Sequence, residues 1–235
     1  MNNIVLLNGS PRINGSTSMK LLELLQSQLG IDCDTKVLEV AKSINQKTQT
    51  LDYEVMAKAD AIVIAFPLYV YCLPGVLVEY LSGYSDYRKS IGETLSPKIY
   101  AVINCGFPEA RINNDAALVV KSFCQEIGAE YRFSVLIGGG GMLQPMKKFP
   151  PVHKMWNEIA FAFAGIVLDI CDEKNDKKEV SPKGSGKVCE NIHIDSKVPK
   201  KLFYFIAQTN FFVAAKMKGI KKKEIFRRPY LNMHS

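Results

Sequence analysis

The feature that most constrains the fold is a series of five short apolar runs, each followed by a segment with helical periodicity. The runs lie at residues 4–7, 35–40, 61–66, 99–103 and 131–137. Near-continuous apolar runs of this length are typical of strands covered on both faces. Helices are predicted over residues 18–29, 52–58, 76–81, 114–127 and 154–168. This alternation predicts an α/β fold, a doubly wound three-layer sandwich around a five-stranded parallel sheet.

The composition of the chain changes near residue 171. Residues 172–235 carry 15 Lys and Arg against 7 Asp and Glu, whereas the preceding residues are nearly neutral. Helical and strand periodicity is lost between residues 172 and 199 and returns in a helix predicted over 202–217. We therefore predict a ligand-binding α/β domain at residues 1–171 and a basic extension with one helix at 172–235.

The helix of the extension has an apolar stripe with lysines at both ends. One interpretation is a basic amphipathic helix that binds a membrane surface or an acidic partner. The other, which a Phe-rich stripe favours, is a helix that packs on the body of the protein or across a dimer. Because positive charge is confined to the extension, no nucleic-acid binding is predicted.

Several classes of site and location are disfavoured. The six cysteines contain no C-x-x-C pair and the three histidines are scattered, so neither a metal site nor an iron–sulfur cluster is predicted. Burial of inert thiols is the expected role of most cysteines. No apolar run is long enough to cross a bilayer, and the first residues run directly into a predicted strand rather than a secretory signal. We therefore expect a cytoplasmic protein without a transmembrane segment.

The loop between the first predicted strand and helix contains the sharpest motif, residues 9–18, Gly-Ser-Pro-Arg-Ile-Asn-Gly-Ser-Thr-Ser. A helix N-terminus supplies unpaired N–H donors and a positive field for a phosphate. Hydroxyl donors and a forked cation come from Ser10, Arg12, Ser16, Thr17 and Ser18. The spacing matches neither a Walker loop nor a G-x-G-x-x-G fingerprint, and the later run of four glycines, 138–141, also lacks that fingerprint.

With this loop and the segment Phe-Pro-Leu-Tyr-Val-Tyr-Cys-Leu-Pro-Gly-Val-Leu at 66–77, the chain resembles the NAD(P)H-dependent FMN reductase family. The resemblance covers roughly residues 1–169 and implies a flavodoxin-like fold with bound FMN. It implies that the five polar residues of the first loop hold the FMN phosphate. It also implies that Pro67, Leu68, Tyr69 and Val70 border the flavin ring. Asn104, Cys105 and Gly106 follow the fourth strand and are predicted as a third cofactor loop.

The resemblance implies an oxidoreductase that takes hydride from NAD(P)H and passes electrons to a small acceptor. No catalytic side chain is predicted, because the flavin carries the chemistry and the protein supplies geometry and electrostatics. Relatives are usually homodimers. Two alternatives stay open: a non-enzymatic electron carrier of flavodoxin type, and a flavin-binding interaction module that uses the basic extension. The acceptor (quinone, nitro or azo compound, flavin or protein) and the choice between NADH and NADPH also stay open.

Overall fold

The computed structural model describes residues 2–30, 33–92, 95–171 and 190–226. Its strands are β1 (Asn2–Asn8), β2 (Cys33–Glu39), β3 (Ala61–Pro67), β4 (Lys98–Asn104), β5 (Glu130–Ile137) and β6 (Ile192–Ile194). Its longer helices are α1 (Thr17–Gln26), α4 (Gly75–Ile91), α5 (Asn114–Glu126), α7 (Pro150–Cys171) and α8 (Lys200–Met217). Shorter helices are α2 (Val40–Gln46), α3 (Gln49–Met56), α6 (Gly140–Leu143) and α9 (Lys222–Ile225).

All strands of the described residues pair in parallel in one sheet with the order β2-β1-β3-β4-β5-β6. The connection after β2 crosses back over β1, so that β1 and β3 lie side by side. This pair is the topological switch point, beyond whose carboxyl ends doubly wound folds bind their ligands. The predicted flavodoxin-like α/β fold is thereby confirmed.

The predicted number of five strands is wrong, because β6 adds a sixth strand beside β5. Strand β6 is only three residues long, too short for its periodicity to stand out in the sequence. The amide of Gly138 donates to the carbonyl of Ile194 (2.9 Å), and the side chain of Ile194 is buried. By compactness the chain divides into Met1–Lys197 and Val198–Ser235, so β6 belongs to the first unit although its residues fall in the predicted extension.

Both faces of the sheet are covered, which explains the apolar runs. On one face, alternate strand residues such as Leu7, Ile64 and Ile103 pack with buried residues of α4 and α5, including Leu77 and Val120. On the other face lie α1 and α7, whose buried residues include Leu21, Leu25, Ile159 and Phe163. Because helices cover both faces of the sheet, a binding site has to be formed by the loops at the ends of the strands.

The second compact unit is described over residues 198–226 and consists of α8 and the one-turn helix α9. The structure places α8 at Lys200–Met217, close to the predicted span of 202–217. Most of the predicted irregular segment before it lies outside the described residues. None of the helices in the described part of the chain is long and apolar enough to cross a membrane.

Candidate functional site

The residues predicted from sequence lie in three of the loops beyond the carboxyl ends of the strands or directly beside these loops. We call them loop one (residues 9–16, after β1), loop two (68–74, after β3) and loop three (105–109, after β4). Thr17 and Ser18 begin α1 directly after loop one, while Pro67 and Asn104 end β3 and β4. Because β1, β3 and β4 are neighbours in the sheet, the predicted residues converge at one edge.

Loop one is closed by its own hydroxyl groups. Ser16 caps α1, its Oγ accepting a hydrogen bond from the Met19 amide (3.1 Å), and the side chain of Asn8 reaches the same Oγ (3.4 Å). The Arg12 amide donates to Ser10 Oγ (3.2 Å). Gly15 has φ +64°, a conformation that favours glycine. The loop is thus held in a fixed curve that ends at the N-terminus of α1.

The first turn of α1 retains donors for a ligand. Main-chain N–H groups in the first turn of a helix have no intrahelical acceptor, and the helix dipole makes this end positive. Thr17 and Ser18 provide two such N–H groups. Arg12 is exposed and forms no ion pair with any other described residue. This end of loop one therefore suits an anion.

The side chain of Ser18, predicted to bind a phosphate, also forms a hydrogen bond within the protein. It is buried, and its Oγ accepts a hydrogen bond from Asn104 Nδ2 (3.2 Å). The same Asn104 amide donates to the Phe66 carbonyl (3.1 Å), and the Leu68 amide donates to the Asn104 carbonyl (2.8 Å). Asn104 therefore links loops one, two and three, and fixes their relative positions.

Loop two ends in a tight hairpin. Tyr69 and Cys72 exchange main-chain hydrogen bonds (2.9 and 3.0 Å), and the two residues between them have positive φ, +49° for Val70 and +61° for Tyr71. Such a turn normally contains Asn or Gly, and a β-branched residue there is strained. Val70 is nonetheless 94% exposed. Strained backbone of this kind is concentrated at functional sites.

An aromatic wall joins loops two and three. The rings of Tyr71 and Phe107 stack with centroids 6.4 Å apart and an interplanar angle of 19°. Both rings are about half exposed, as is Tyr69. Phe107 was not among the predicted residues, although it directly follows the predicted triplet 104–106. The wall offers apolar, planar surface of the kind that a flat ring requires.

The thiol of Cys105 lies among main-chain carbonyl groups of loop three. Its Sγ lies near the carbonyl oxygens of Phe107 (3.5 Å) and Glu109 (3.7 Å). Burial raises the pKa of the Cys105 thiol, and hydrogen bonds to Phe107 and Asn113 oppose this only in part. The expected inert thiol agrees with this environment, because a thiolate is not stabilised there. The main chain of Cys105 is also engaged within the protein, since its N–H donates to the Ile137 carbonyl (3.0 Å).

A fourth loop, which sequence reasoning missed, lies at the same edge. Loop four (residues 138–149, including α6) follows β5 and contains the run of four glycines. The Gly140 amide donates to the Cys105 carbonyl (2.8 Å), and Gln144 Nε2 lies 3.4 Å from Thr17 Oγ1. A Cβ on Gly140 would lie 2.6 Å from Asn104 Oδ1. The glycine run itself could have indicated this loop, because glycine is required where two backbone segments or a backbone and a side chain approach closely, even without a nucleotide-binding fingerprint.

The charges at this edge are mostly positive. Loops one, two and four contain no Asp or Glu, and loop three contains only Glu109. Arg12 in loop one and Lys147 and Lys148 in loop four are the charged residues of those three loops. The edge thus combines a positive field, free helix N–H groups and an aromatic wall, a combination that suits an anionic ligand with a planar ring.

Comparison with known proteins agrees with this geometry. Residues 2–106 match the NADPH-dependent FMN reductase family. The resemblance predicted from the sequence is thereby confirmed. The match covers β1 to β4 and ends at Gly106, so it contains every predicted cofactor residue. The predictions of an FMN reductase-type enzyme, of FMN as cofactor and of NAD(P)H as co-substrate are confirmed by the same match.

Solved structures extend the comparison of the fold. The chain is similar to an NADH:FMN oxidoreductase in its apo form (17% identity, 74% of this chain and 92% of that chain, TM-score 0.54). It is also similar to general stress protein 14 of Treponema denticola in complex with FMN (17%, 72% and 99%, 0.53). A third is the FMN-dependent NADH-azoreductase of Bacillus anthracis with FMN (12%, 71% and 100%, 0.51). No curated protein sequence matches this chain.

Proposed function

We propose that this FMN-dependent NAD(P)H oxidoreductase binds FMN across loops one to three and passes its electrons to a small acceptor such as a quinone, a nitro or azo compound, or free flavin. The observation that carries the proposal is the convergence of an anion-binding helix N-terminus and an aromatic wall at the switch point of the sheet. Two of the similar folds, from Treponema denticola and Bacillus anthracis, were solved with FMN.

Loop one would hold the phosphate. The main-chain N–H groups of Thr17 and Ser18, the hydroxyls of Ser10, Ser16 and Thr17 and the guanidinium of Arg12 would donate to its oxygens. Since Ser16 and Ser18 already accept hydrogen bonds from the protein, each hydroxyl keeps its own proton to donate. The absence of carboxylates from loop one removes a source of repulsion.

Loops two and three would hold the ring. Pro67, Leu68, Tyr69 and Val70 would border one edge of the ring, while Asn104, Cys105 and Gly106 would border another. Bound there, FMN would supply the chemistry of hydride transfer from the nicotinamide and of electron transfer to the acceptor. The protein then needs no nucleophile: loops two and three position the reacting partners and exclude water from one side.

The same proposal includes a cytoplasmic homodimer. Helix α7 exposes Phe161 and Leu168 beside strand β6, an apolar surface of the kind that subunit interfaces cover. Sedimentation velocity of the FMN-loaded protein tests the homodimer, for which a single species of twice the chain mass is expected. A monomer at micromolar concentration would contradict it.

Anaerobic spectroscopy tests the function. The purified protein with bound FMN is mixed with NADPH, then in a separate experiment with NADH, and the flavin absorbance is followed. We expect prompt bleaching by at least one nicotinamide and recovery on addition of a quinone or an azo dye. FMN that binds but is not bleached would favour an electron carrier, and failure to bind FMN would contradict the proposal.

A further inference from the structure

Helix α8 is unusual for the amount of apolar surface that it leaves exposed. Of its 18 residues, only Phe203 and Ala215 are buried. Phe205 is 66% exposed, Phe211 59% and Met217 84%. Soluble monomers rarely leave aromatic surface of this extent uncovered, so α8 needs a partner.

The charges of this unit are almost all positive. Residues 198–226 contain seven lysines and one glutamate. The lysines lie before and after an uncharged run at residues 202–215, which is 14 residues long. A run of this length is too short to span a bilayer and is typical of buried or interfacial helices.

Four of the exposed apolar residues of α8 share one side, whereas Tyr204 and Phe211 lie on the opposite side. At 100° per residue, Leu202, Phe205, Val213 and Met217 lie on one side of α8. Lys216, which is exposed, lies on this side near its C-terminal end, and the exposed Lys218 follows the helix directly. A basic helix with an aromatic and aliphatic side can insert that side at the boundary of headgroups and acyl chains.

We propose that α8 binds the surface of a membrane rich in anionic lipids, and so attaches the reductase to that surface. The charge of α8 favours an anionic membrane surface over a second copy of α8 as its binding partner. Because both ends of α8 are basic, parallel and antiparallel pairing would each bring lysines against lysines. Residues 1–171 are nearly neutral overall, whereas the headgroups of anionic lipids present a surface that is negative throughout.

Co-sedimentation of the full FMN-loaded protein with vesicles tests the proposal, which does not depend on the reductase activity. We expect binding to mixed phosphatidylcholine and phosphatidylglycerol vesicles that is at least about tenfold tighter than to phosphatidylcholine alone and weakens with salt. Replacing Lys201, Lys216 and Lys218 by Gln should lower binding about a hundredfold. Phe205→Glu with Val213→Glu, both on the apolar side, should abolish it.

Matched controls lie on the first unit. Lys58, Lys121 and Lys154 are exposed, and replacing these three by Gln removes the same charge but should leave vesicle binding unchanged. Every variant should retain the flavin spectrum of the parent, which verifies folding. Equal binding to both kinds of vesicle, or to neither, would overturn the proposal. Conversion of a dimer to a monomer by the Phe205 and Val213 changes, without lipid, would show that a second copy covers α8 and would also overturn it.

Discussion

The two ends of the parallel strands differ in how their polar groups are paired. At the amino edge, where the strands begin, buried charge is matched by partners within the protein. At the carboxyl edge, where the strands end, hydrogen-bond donors are left for a ligand. At the amino edge, Asp169 is 1% exposed and accepts hydrogen bonds from Arg132 Nε (2.8 Å), Arg132 Nη2 (2.6 Å) and the Tyr100 hydroxyl (2.6 Å). At the carboxyl edge, the Arg12 guanidinium and the main-chain N–H groups of Thr17 and Ser18 have no such partners among the described residues. The difference separates the edge whose polar contacts stabilise the fold from the edge that we propose binds FMN.

The largest effect on stability is expected at the amino edge. Arg132→Ala leaves the buried Asp169 carboxylate without its cation and should lower the free energy of unfolding by about 3–5 kcal/mol. Glu130→Gln removes the exposed partner of the same arginine and should cost less than about 1 kcal/mol. Urea denaturation measures both. A loss of FMN affinity in Arg132→Ala protein that is still folded would break the distinction between the edges.

A smaller effect, on both stability and binding, is expected at Gly140. The Cβ of Gly140→Ala would collide with Asn104, which links loops one to three, so unfolding should become easier by about 1–3 kcal/mol. The Kd for FMN should rise about tenfold. Gly141→Ala is the matched control, since a Cβ there meets no atom within 4 Å. FMN fluorescence titration distinguishes them, and equal effects of the two substitutions would argue against Asn104 as the link.

At Arg12 the effect should fall on binding alone. Arg12→Ala removes an exposed cation from loop one and should raise the Kd for FMN about ten- to hundredfold, the range of a hydrogen bond to a charged group. The melting temperature without FMN should not change. Lys20→Ala, which removes a surface ion pair with Glu23 (2.7 Å) on α1, should leave the Kd unaltered. If both variants bound FMN equally well, phosphate binding by Arg12 would be refuted.

The smallest effect concerns acid pH. Burial raises the pKa of Asp169, but hydrogen bonds and charge from Arg132 and Tyr100 outweigh it, and the pKa is lowered overall. A carboxyl whose pKa is lower in the folded state stabilises the protein above its unfolded pKa, and this contribution is lost as the pH falls below about 4. Urea titrations at pH 7 and pH 3 should therefore show less acid destabilisation in Asp169→Asn than in the parent protein.

The sequence predicts the central sheet well because each central strand is covered on both faces and is therefore apolar throughout. Strands β3 and β4, predicted at residues 61–66 and 99–103, differ from the structure by at most one residue at either end. Strand β6 and helix α2 were missed, since three and seven residues are too few to show a period. Their positions depend on long-range pairing that local composition does not record.

The candidate site was predicted in the same uneven way. Loop one was predicted as a phosphate-binding loop because hydroxyl, glycine and arginine residues occur together before a helix, which is a local signal. Phe107 and loop four were missed because their place at the site depends on stacking with Tyr71 and on close approach to Asn104. The strained turn at Val70 carries no signal at all in a sequence without Asn or Gly at that turn.

The most direct test of the FMN site compares FMN with riboflavin, which shares the ring and lacks the phosphate. Both are titrated into the apoprotein by isothermal calorimetry. If loop one binds the phosphate, FMN should bind about a hundredfold more tightly than riboflavin, and Arg12→Ala should reduce that ratio. Equal affinities for FMN and riboflavin would contradict the assignment of the carboxyl edge as the FMN site.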